Sequence, residues 1–234
     1  MLELGEQNWY GDVNPAEMSS MIDQFYAGDK AEKLKQELAV LLSKDRRQVS
    51  FELAKLFYKV IFDYEAYAAI DMHGTDISQK IDLNAQIKVD KQYDLVTNFG
   101  TAEHVFNQYQ FFKNMHDLTK PGGLMLHSFP NQGCYDHGFY NYHPTFCFDL
   151  CDANSYMTLS VVYADQSVTP AKMSNISRES YVVMAVEKKL SNYSGLIALF
   201  RKRDIETEFR IPQQAYYDDR LPAQLAEAWR KLER

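Results

Sequence analysis

The spacing of hydrophobic residues along the chain predicts strands that alternate with helices. The first four residues form an apolar run that ends at Gly5. Further runs of strand length, with the β-branched and aromatic content typical of strands, cover residues 66–72, 93–98, 124–129, 156–163 and 196–202. Helical spacing covers residues 102–118 and 144–153, and residues 221–234 predict a polar surface helix. Such alternation is typical of an α/β fold with a mostly parallel sheet and right-handed crossovers.

A long helical stretch separates the first two predicted strands. Asn14 followed by Pro15 is a typical helix start, and apolar residues then recur at intervals of three and four as far as residue 63. Breaks at Gly28-Asp29 and Lys44-Asp45 divide this stretch into three helices. One helix would suffice to connect two parallel strands. We therefore predict one domain over residues 1–234 with a helical insertion at about 15–63. This insertion either covers the active site as a lid, forms a homodimer surface, or only packs against the rest of the domain.

Two other segments are less clear from the pattern. Residues 130–143 form a long polar and aromatic loop before the helix at 144–153. Residues 178–190 have the spacing of a helix and the β-branched content of a strand, so both interpretations stay open.

Composition and charge narrow the range of partners. Hydrophobic residues make up 46% and charged residues 24% of the chain, which is ordinary for a globular protein. The net charge of −7 provides no global positive field, so nucleic acid is not an expected partner. No apolar run approaches the roughly 18 residues of a membrane span. The first residues, MLELG, lack the features of a signal peptide, and the three cysteines form an odd, sparse set. We expect a cytoplasmic protein without a membrane partner.

Candidate ligand groups follow several predicted strands. In an open parallel sheet, ligands bind at the carboxyl ends of the strands, near the point where strand order reverses. Gly5 after the first strand would let a ligand approach the backbone, and Asp71 after the second can accept hydrogen bonds from a ribose diol. The alternative is that Asp71 acts only as a helix cap or turn residue.

The order of these features is similar to that of a known superfamily. Residues 93–130 contain a strand with Asp94, the pair Glu103-His104 after the strand, and the turn Lys120-Pro121-Gly122-Gly123. They resemble the middle of class I S-adenosylmethionine-dependent methyltransferases. The resemblance covers residues 66–163 well and the start of the chain in part. It implies a Rossmann-like, three-layer α/β sandwich and transfer of a methyl group from S-adenosylmethionine. Together with the histidine-rich loop, the strand-end motifs favour a small-molecule metabolite as the acceptor, with methylation of oxygen favoured over methylation of nitrogen.

The resemblance also implies which residues bind the cofactor. Glu3 and Gly5 match the start of the cofactor loop, Asp71 would hold the ribose, and Met72 would pack on the adenine. Asp82 and Leu83 would approach the adenine edge. The methionine side of the cleft would be lined by Asn98, Phe99 and Gly100.

The cofactor loop departs from the family pattern. Gln7 and Trp9 stand where the family has its second and third loop glycines, although Gln7 could still contact the cofactor. This departure motivates the alternative of a non-catalytic module that binds a partner protein through the helical insertion. A loop closed by Trp9 would favour that alternative, whereas an open cleft lined by Asp71 and Asp82 would count against it. A nicotinamide-dependent oxidoreductase is disfavoured because the chain lacks a Gly-x-Gly-x-x-Gly loop.

Five of the six histidines lie between residues 104 and 143. We interpret His116 as a solvated helix residue and expect the others near the mouth of the cleft. Neutral imidazole can accept a proton near pH 7, so these four are candidate catalytic bases for an attacking hydroxyl: His104, His127, His137 and His143.

A metal site is a second interpretation of the same cluster. Glu103-His104 followed by Asp136-His137 is similar to a pattern in O-methyltransferases that act on the terminal ribose of small RNAs and, more loosely, in those of ubiquinone biosynthesis. That resemblance implies a divalent ion held by Glu103, His104 and His137, although Gly100 stands where those enzymes have another glutamate. Metal-free base catalysis, substrate contact and structural hydrogen bonding stay open. The aromatic loop 134–146 fits either a pocket for a planar or sugar-like ligand or a cover for the sheet edge.

Overall fold

The computed structural model describes residues 1–11, 13–45, 49–217 and 220–231. Within them, eight strands form one sheet: β1 Leu2–Leu4, β2 Ala68–Ile70, β3 Ser78–Gln79, β4 Tyr93–Phe99, β5 Thr119–Gln132, β6 Met157–Asp165, β7 Lys172–Asn175 and β8 Ser194–Arg201. The strand order is β3-β2-β1-β4-β5-β8-β6-β7. Strands β1 to β5 pair in parallel, whereas β8 pairs antiparallel with both β5 and β6, and β7 pairs antiparallel with β6. The predicted α/β architecture with a mostly parallel sheet is confirmed.

The described part of the chain contains seven α-helices: α1 Pro15–Phe25, α2 Gly28–Leu42, α3 Ser50–Phe62, α4 Gln108–Leu118, α5 Pro144–Asn154, α6 Arg178–Val186 and α7 Ala223–Lys231. The first three lie between β1 and β2, where the sequence predicts the helical insertion. Asn14 starts α1 with a capping box, since its side chain accepts from the Glu17 amide and Glu17 accepts in return from the Asn14 amide. None of the described helices is both long and apolar enough to cross a membrane.

The hydrophobic core has two main parts. The larger one packs around the sheet and includes Leu4, Val96, Phe111 and Phe200. The second lies among the inserted helices, where Met18, Ile22, Leu38 and Leu56 are among the buried residues. The insertion therefore buries an apolar face of its own, and α3 joins the sheet through a small cluster in which Tyr58 contacts Phe99 at 5.6 Å between ring centroids.

The structure differs from the sequence pattern at two places, and it decides the segment that the pattern leaves ambiguous. The helix predicted over 102–118 is a 3-10 turn at Ala102–His104 followed by α4, because the Asn107 side chain caps the amide of Gln110 and starts a new helix there. The edge strand β7 is short and mostly exposed, and the apolar pattern does not predict it. The ambiguous segment contains a helix, α6, which Ser177 and Ser180 start with a reciprocal cap.

The topology defines where a ligand would bind. The chain runs outward from β1 to β2 and β3 and then returns to β4 on the other side of β1. Strand order thus reverses between β1 and β4, and the carboxyl ends of these strands meet at one edge of the sheet.

Candidate active site

A cleft of about 490 Å³ opens at the carboxyl ends of β1, β2 and β4. We call it the β1–β4 cleft. Seven of the ten predicted cofactor residues line it: Gly5, Gln7, Asp71, Met72, Asp82, Leu83 and Gly100. Elements that are far apart in sequence thus bring most of the predicted set into one depression.

Asp71 has the hydrogen bonds of a turn residue, and its contact with a ribose stays a prediction. Its Oδ2 accepts from the Glu6 amide at 2.9 Å, and its Oδ1 accepts from the His73 amide at 2.7 Å, so it shapes the turn after β2. The carboxylate also borders the β1–β4 cleft. Since each carboxylate oxygen can accept more than one hydrogen bond, Asp71 retains capacity to accept from a diol.

The far wall of the cleft is built by the loop after β3. Asp82 Oδ1 accepts from both the amide and the side chain of Asn84 at 2.8 Å, and these bonds hold the pKa of Asp82 below its ordinary value. Leu83 is buried, whereas Met72, which also lines the cleft, is half exposed. The cleft is therefore lined by both apolar and polar side chains.

Three predicted cofactor residues do not line the cleft. Asn98 is buried and its Oδ1 accepts from the Thr101 and Ala102 amides at 3.2 and 2.9 Å, so it fixes the turn after β4. Phe99 packs against α3 instead. Glu3 lies in the core, where Tyr67 donates to one carboxylate oxygen, and burial raises the pKa of Glu3 to about 7. These three side chains pack within the protein, Asn98 and Phe99 on opposite faces of β4, and their predicted contact with the cofactor stays a prediction.

The loop after β1 is held by a residue that the sequence did not single out, Glu6. Its carboxylate is buried and accepts from Lys55 of α3 at 2.6 Å, from the Thr75 amide at 2.6 Å and hydroxyl at 2.9 Å, and from the Ser78 hydroxyl at 2.5 Å. Burial alone would raise its pKa, but these bonds hold the pKa of Glu6 below its ordinary value. A β-carbon on Gly74 would lie only 2.7 Å from this carboxylate. We call this cluster the Glu6 knot.

Trp9 does not close the cleft. Its amide donates to the carbonyl of Ser50 at 2.9 Å, and its ring lies 5.2 Å from that of Phe57, so the side chain packs on α3. The open cleft beside Asp71 and Asp82 counts against a site blocked by the altered loop.

A second cavity, also of about 490 Å³, lies at the same sheet edge on the other side of β4. We call it the β5–β7 cavity. It extends along the ends of β5, β8, β6 and β7, with Phe129, Gln166, Met173 and Tyr193 among its lining residues. Gly100 lines both the β1–β4 cleft and this cavity, so the two spaces meet at the turn after β4.

Three predicted metal ligands converge beside this junction. One ligand atom from each of Glu103, His104 and His137 lies within 4.8 Å of the others. His137 Nε2 is 3.7 Å from Glu103 Oε1, and the two imidazole rings are 5.2 Å apart between centroids. Glu103 and His137 line the β5–β7 cavity, whereas His104 lines the β1–β4 cleft. We call these residues the Glu-His-His cluster.

Glu103 is the buried member of the cluster. Its side chain is 1% exposed, and Oε2 has no hydrogen-bond partner among the described residues. Burial raises the pKa of this carboxyl to about 7, and burial together with the nearby His137 lowers the pKa of His104. A buried oxygen without a partner carries a desolvation cost that a bound cation or donor would remove.

A glycine allows the second arm of the cluster to approach the first. Phe139 donates its amide to the carbonyl of Glu103 at 2.7 Å, which holds the 134–139 loop against the 3-10 turn. A β-carbon on Gly138 would lie 2.9 Å from that same carbonyl oxygen. The position of His137 therefore depends on Gly138.

Three histidines lie where the sequence does not place them. His127 is buried among aromatic rings of the core rather than at the mouth of the cleft, and burial lowers its pKa to about 3. His143 lies in a different cavity beside Tyr140 and Phe146, apart from the Glu-His-His cluster. His116 is buried, not solvated, and its two nitrogens lie 2.6 Å from the Tyr156 hydroxyl and from the carbonyl of Thr207. Strand alternation and the packing of the C-terminal segment on α4 decide these positions.

Comparison with known proteins identifies the family. A family model described as "Methyltransferase domain" matches residues 52–210. The match covers more than half of the chain and includes β2, the β3 loop, β4, the Glu-His-His cluster and the β5–β7 cavity. The chain therefore belongs to the class I S-adenosylmethionine-dependent methyltransferases, an enzyme family with a Rossmann-like α/β fold. The predicted cofactor, S-adenosylmethionine, follows from this membership.

Solved structures with weak similarity were also found. The N-methyltransferase NodS from Bradyrhizobium japonicum WM9 is 14% identical, with a TM-score of 0.39 over 86% of this chain and 84% of that chain. Its complex with S-adenosyl-L-homocysteine gives 14% identity and a TM-score of 0.42 over 79% and 98%. The MccD protein gives 11% identity and a TM-score of 0.30 over 68% and 76%. At these scores they do not contribute to the assignment. A search of curated proteins found no match.

Proposed function

We propose that the enzyme transfers the methyl group of S-adenosylmethionine to a hydroxyl oxygen of a small molecule held in the β5–β7 cavity. The observation that carries this proposal is the junction at Gly100, where the β1–β4 cleft and the β5–β7 cavity meet beside the Glu-His-His cluster. A cofactor in the cleft and an acceptor in the cavity would face each other across this junction. A cavity of about 490 Å³ is in the range of small-molecule sites.

The cluster supplies the proton acceptor that oxygen methylation benefits from. The hydroxyl oxygen attacks the methyl carbon, the carbon–sulfur bond breaks, S-adenosylhomocysteine leaves and the hydroxyl proton passes to a base. His137 lines the cavity with an exposed imidazole, and Glu103 lies beside it with a carboxyl pKa of about 7. Glu103 is therefore suited to take up a proton near neutral pH, and the His137 imidazole lies beside it in the same cavity.

The same residues fit a divalent metal ion. Two imidazoles and a carboxylate form a donor set that Zn²⁺, Mn²⁺, Fe²⁺ or Co²⁺ accepts. Oε2 of Glu103 is buried and has no hydrogen-bond partner among the described residues, which is expected of a metal ligand in the absence of its ion. Glu103, His104 and His137 would hold the ion, and the ion would supply Lewis acidity toward a hydroxyl oxygen.

Cobalt titration distinguishes the metal from the metal-free form of the proposal. Purified, chelator-treated enzyme is titrated with Co²⁺ by calorimetry and by visible absorption, with His137→Gln as the test variant. His143→Gln is the matched control, since His143 lies in another cavity. We expect one Co²⁺ per chain, lost in His137→Gln and kept in His143→Gln. If all three proteins bind Co²⁺ equally, or if none binds it, the cluster holds no metal ion and the metal-free form of the proposal, base catalysis, is retained.

The acceptor atom is tested with a matched pair of compounds, 4-propylphenol and 4-propylaniline. Transfer of tritiated methyl from S-adenosylmethionine is measured with and without metal. We expect the phenol to be methylated and the aniline not. Methylation of the aniline alone would contradict the proposal for oxygen.

A further inference from the structure

The lining of the β5–β7 cavity is uncharged away from the Glu-His-His cluster. Among the described residues that line it, Glu103 is the only carboxylate and none is a lysine or an arginine. Phe129, Leu196 and Ile197 form apolar walls, and Gln166, Tyr193 and Met173 complete the side away from β4. An ionised group placed against the buried side chains of Phe129 and Leu196 would lose hydration without gaining a charged partner.

The sheet gives this cavity a direction. Gly100 and Glu103 follow β4, whereas Met173 belongs to β7, and four inter-strand spacings separate these strands, roughly 19 Å. The reacting hydroxyl must lie at the β4 end, because the cofactor cleft meets the cavity only there, at Gly100, among the described lining residues. The remainder of the acceptor therefore extends along the uncharged part toward β7.

We infer that the acceptor is an elongated molecule with its hydroxyl at one end and a body that carries neither an anionic nor a cationic group. This inference rests on the proposed function and adds the class of acceptor. Met173 of the edge strand β7 lines the end of the cavity that lies farthest from the Glu-His-His cluster, and it is largely exposed. Phosphorylated and carboxylated acceptors are disfavoured, because their charge finds no partner in this lining and loses hydration against the buried side chains of Phe129 and Leu196.

Three probes of equal length test the inference. They share a 4-hydroxyphenyl group on an eight-carbon chain that ends in a methyl ester, a carboxylate or a primary ammonium. Binding to the wild-type enzyme is measured by calorimetry with S-adenosylhomocysteine present. We expect the ester to bind about threefold more tightly than either charged probe, since the charged ends lose part of their hydration and gain no charged partner.

A substitution at the far end shows whether the probes lie along the cavity. Met173→Lys places an ammonium near the carboxylate end, and Met173→Gln is the neutral control. Because position 173 is largely exposed, we expect a gain of about threefold in the affinity for the carboxylate probe with lysine, and none with glutamine.

The outcomes separate the two proposals. Equal or tighter binding of a charged probe, or no binding of any probe to an enzyme that binds S-adenosylhomocysteine, would overturn the acceptor class and leave the cofactor assignment standing. Failure to bind S-adenosylhomocysteine itself would overturn the proposed function, and the acceptor class with it.

Discussion

The Lys55 ammonium lies 2.6 Å from the buried carboxylate of Glu6, and this contact ties the inserted helix α3 to the loop that follows β1. The Glu6 amide in turn donates to Asp71 at the end of β2. In the loop after β1, Gln7 and Trp9 replace the glycines of the family pattern. Side-chain contacts of Glu6 and Asp71 hold this loop in place. The helical insertion contributes directly to the geometry of the β1–β4 cleft.

The Glu6 knot predicts the effect of Lys55→Met. Removing the ammonium leaves a buried carboxylate short of one charged partner, and the loop should relax away from Asp71. We expect S-adenosylhomocysteine affinity to fall about tenfold, which corresponds to about 1.4 kcal/mol. Lys59→Met is the control, since Lys59 lies one turn further along α3 and donates to the carbonyl of Tyr64 instead. Equal affinities of the two variants, measured by calorimetry, would show that the knot does not position the loop.

Gly138→Ala tests the assembly of the Glu-His-His cluster. The new β-carbon would meet the Glu103 carbonyl oxygen, so the 134–139 loop and His137 must shift outward. Because groups that orient a ligand are worth about 10- to 100-fold in metal affinity, we expect Co²⁺ binding to weaken at least about tenfold. Binding of S-adenosylhomocysteine should stay at the wild-type level. Asn141→Ala is the control, since Asn141 is exposed and lies just after this loop, and it should change neither Co²⁺ affinity nor S-adenosylhomocysteine affinity. If Gly138→Ala also leaves the Co²⁺ affinity unchanged, the geometry described for the cluster is wrong.

The raised pKa of Glu103 predicts how stability depends on pH in chelator-treated enzyme. A carboxyl whose pKa is raised from 4.5 to about 7 on folding contributes stability below pH 4.5, and that stability is lost as the pH rises to 7. Glu103→Gln has no such dependence at this position. Relative to wild type, the variant should therefore gain free energy of unfolding between pH 5 and pH 8, by up to about 3 kcal/mol.

Urea unfolding at both pH values measures this difference. Co²⁺ added at pH 8 should raise the free energy of unfolding of the wild-type enzyme and leave that of the variant unchanged, because only the wild type has the carboxylate ligand. A difference between variant and wild type that does not vary with pH would mean that Glu103 ionises normally in the folded protein.

The buried position of His116 predicts a structural role. His116→Ala removes one partner each from the Tyr156 hydroxyl and the Thr207 carbonyl, and opens a cavity in the core. We expect a loss of roughly 2–4 kcal/mol in the free energy of unfolding, with no change in S-adenosylhomocysteine affinity. Tyr156→Phe removes one of these bonds and should cost about 1 kcal/mol. A loss below about 0.5 kcal/mol for His116→Ala would instead be typical of a solvated residue.

Much of the fold follows from the sequence because the apolar runs are regular. Strands such as β4 and β6 and the insertion α1–α3 appear where the pattern predicts them, since burial of those runs decides their structure. The edge strand β7 is missed because its residues are mostly exposed, and an exposed strand carries no apolar signature.

The site is harder to predict because it depends on which face of a strand a residue occupies. Asp71 and Asp82 follow strands and come together at the sheet edge, but Glu3, Asn98 and His127 lie within strands and point into the core. The role of Glu6 depends on Lys55, Thr75 and Ser78, which a single sequence does not bring together. A charged residue directly after Gly5, where the family has a glycine-rich loop, was the signal that could have drawn attention to it.

The most direct test of the cofactor site is calorimetric titration of S-adenosylhomocysteine into wild type, Asp71→Ala and Asp76→Ala. Asp76 is exposed in the same loop and does not line the β1–β4 cleft, so it controls for loss of an acidic residue. We expect one molecule bound per chain by the wild type and by Asp76→Ala. Asp71→Ala should bind at least about tenfold more weakly, because charge-assisted hydrogen bonds are each worth about 1.5–3 kcal/mol. Absence of binding by the wild type, or equal binding by all three proteins, would contradict the placement of the cofactor in this cleft.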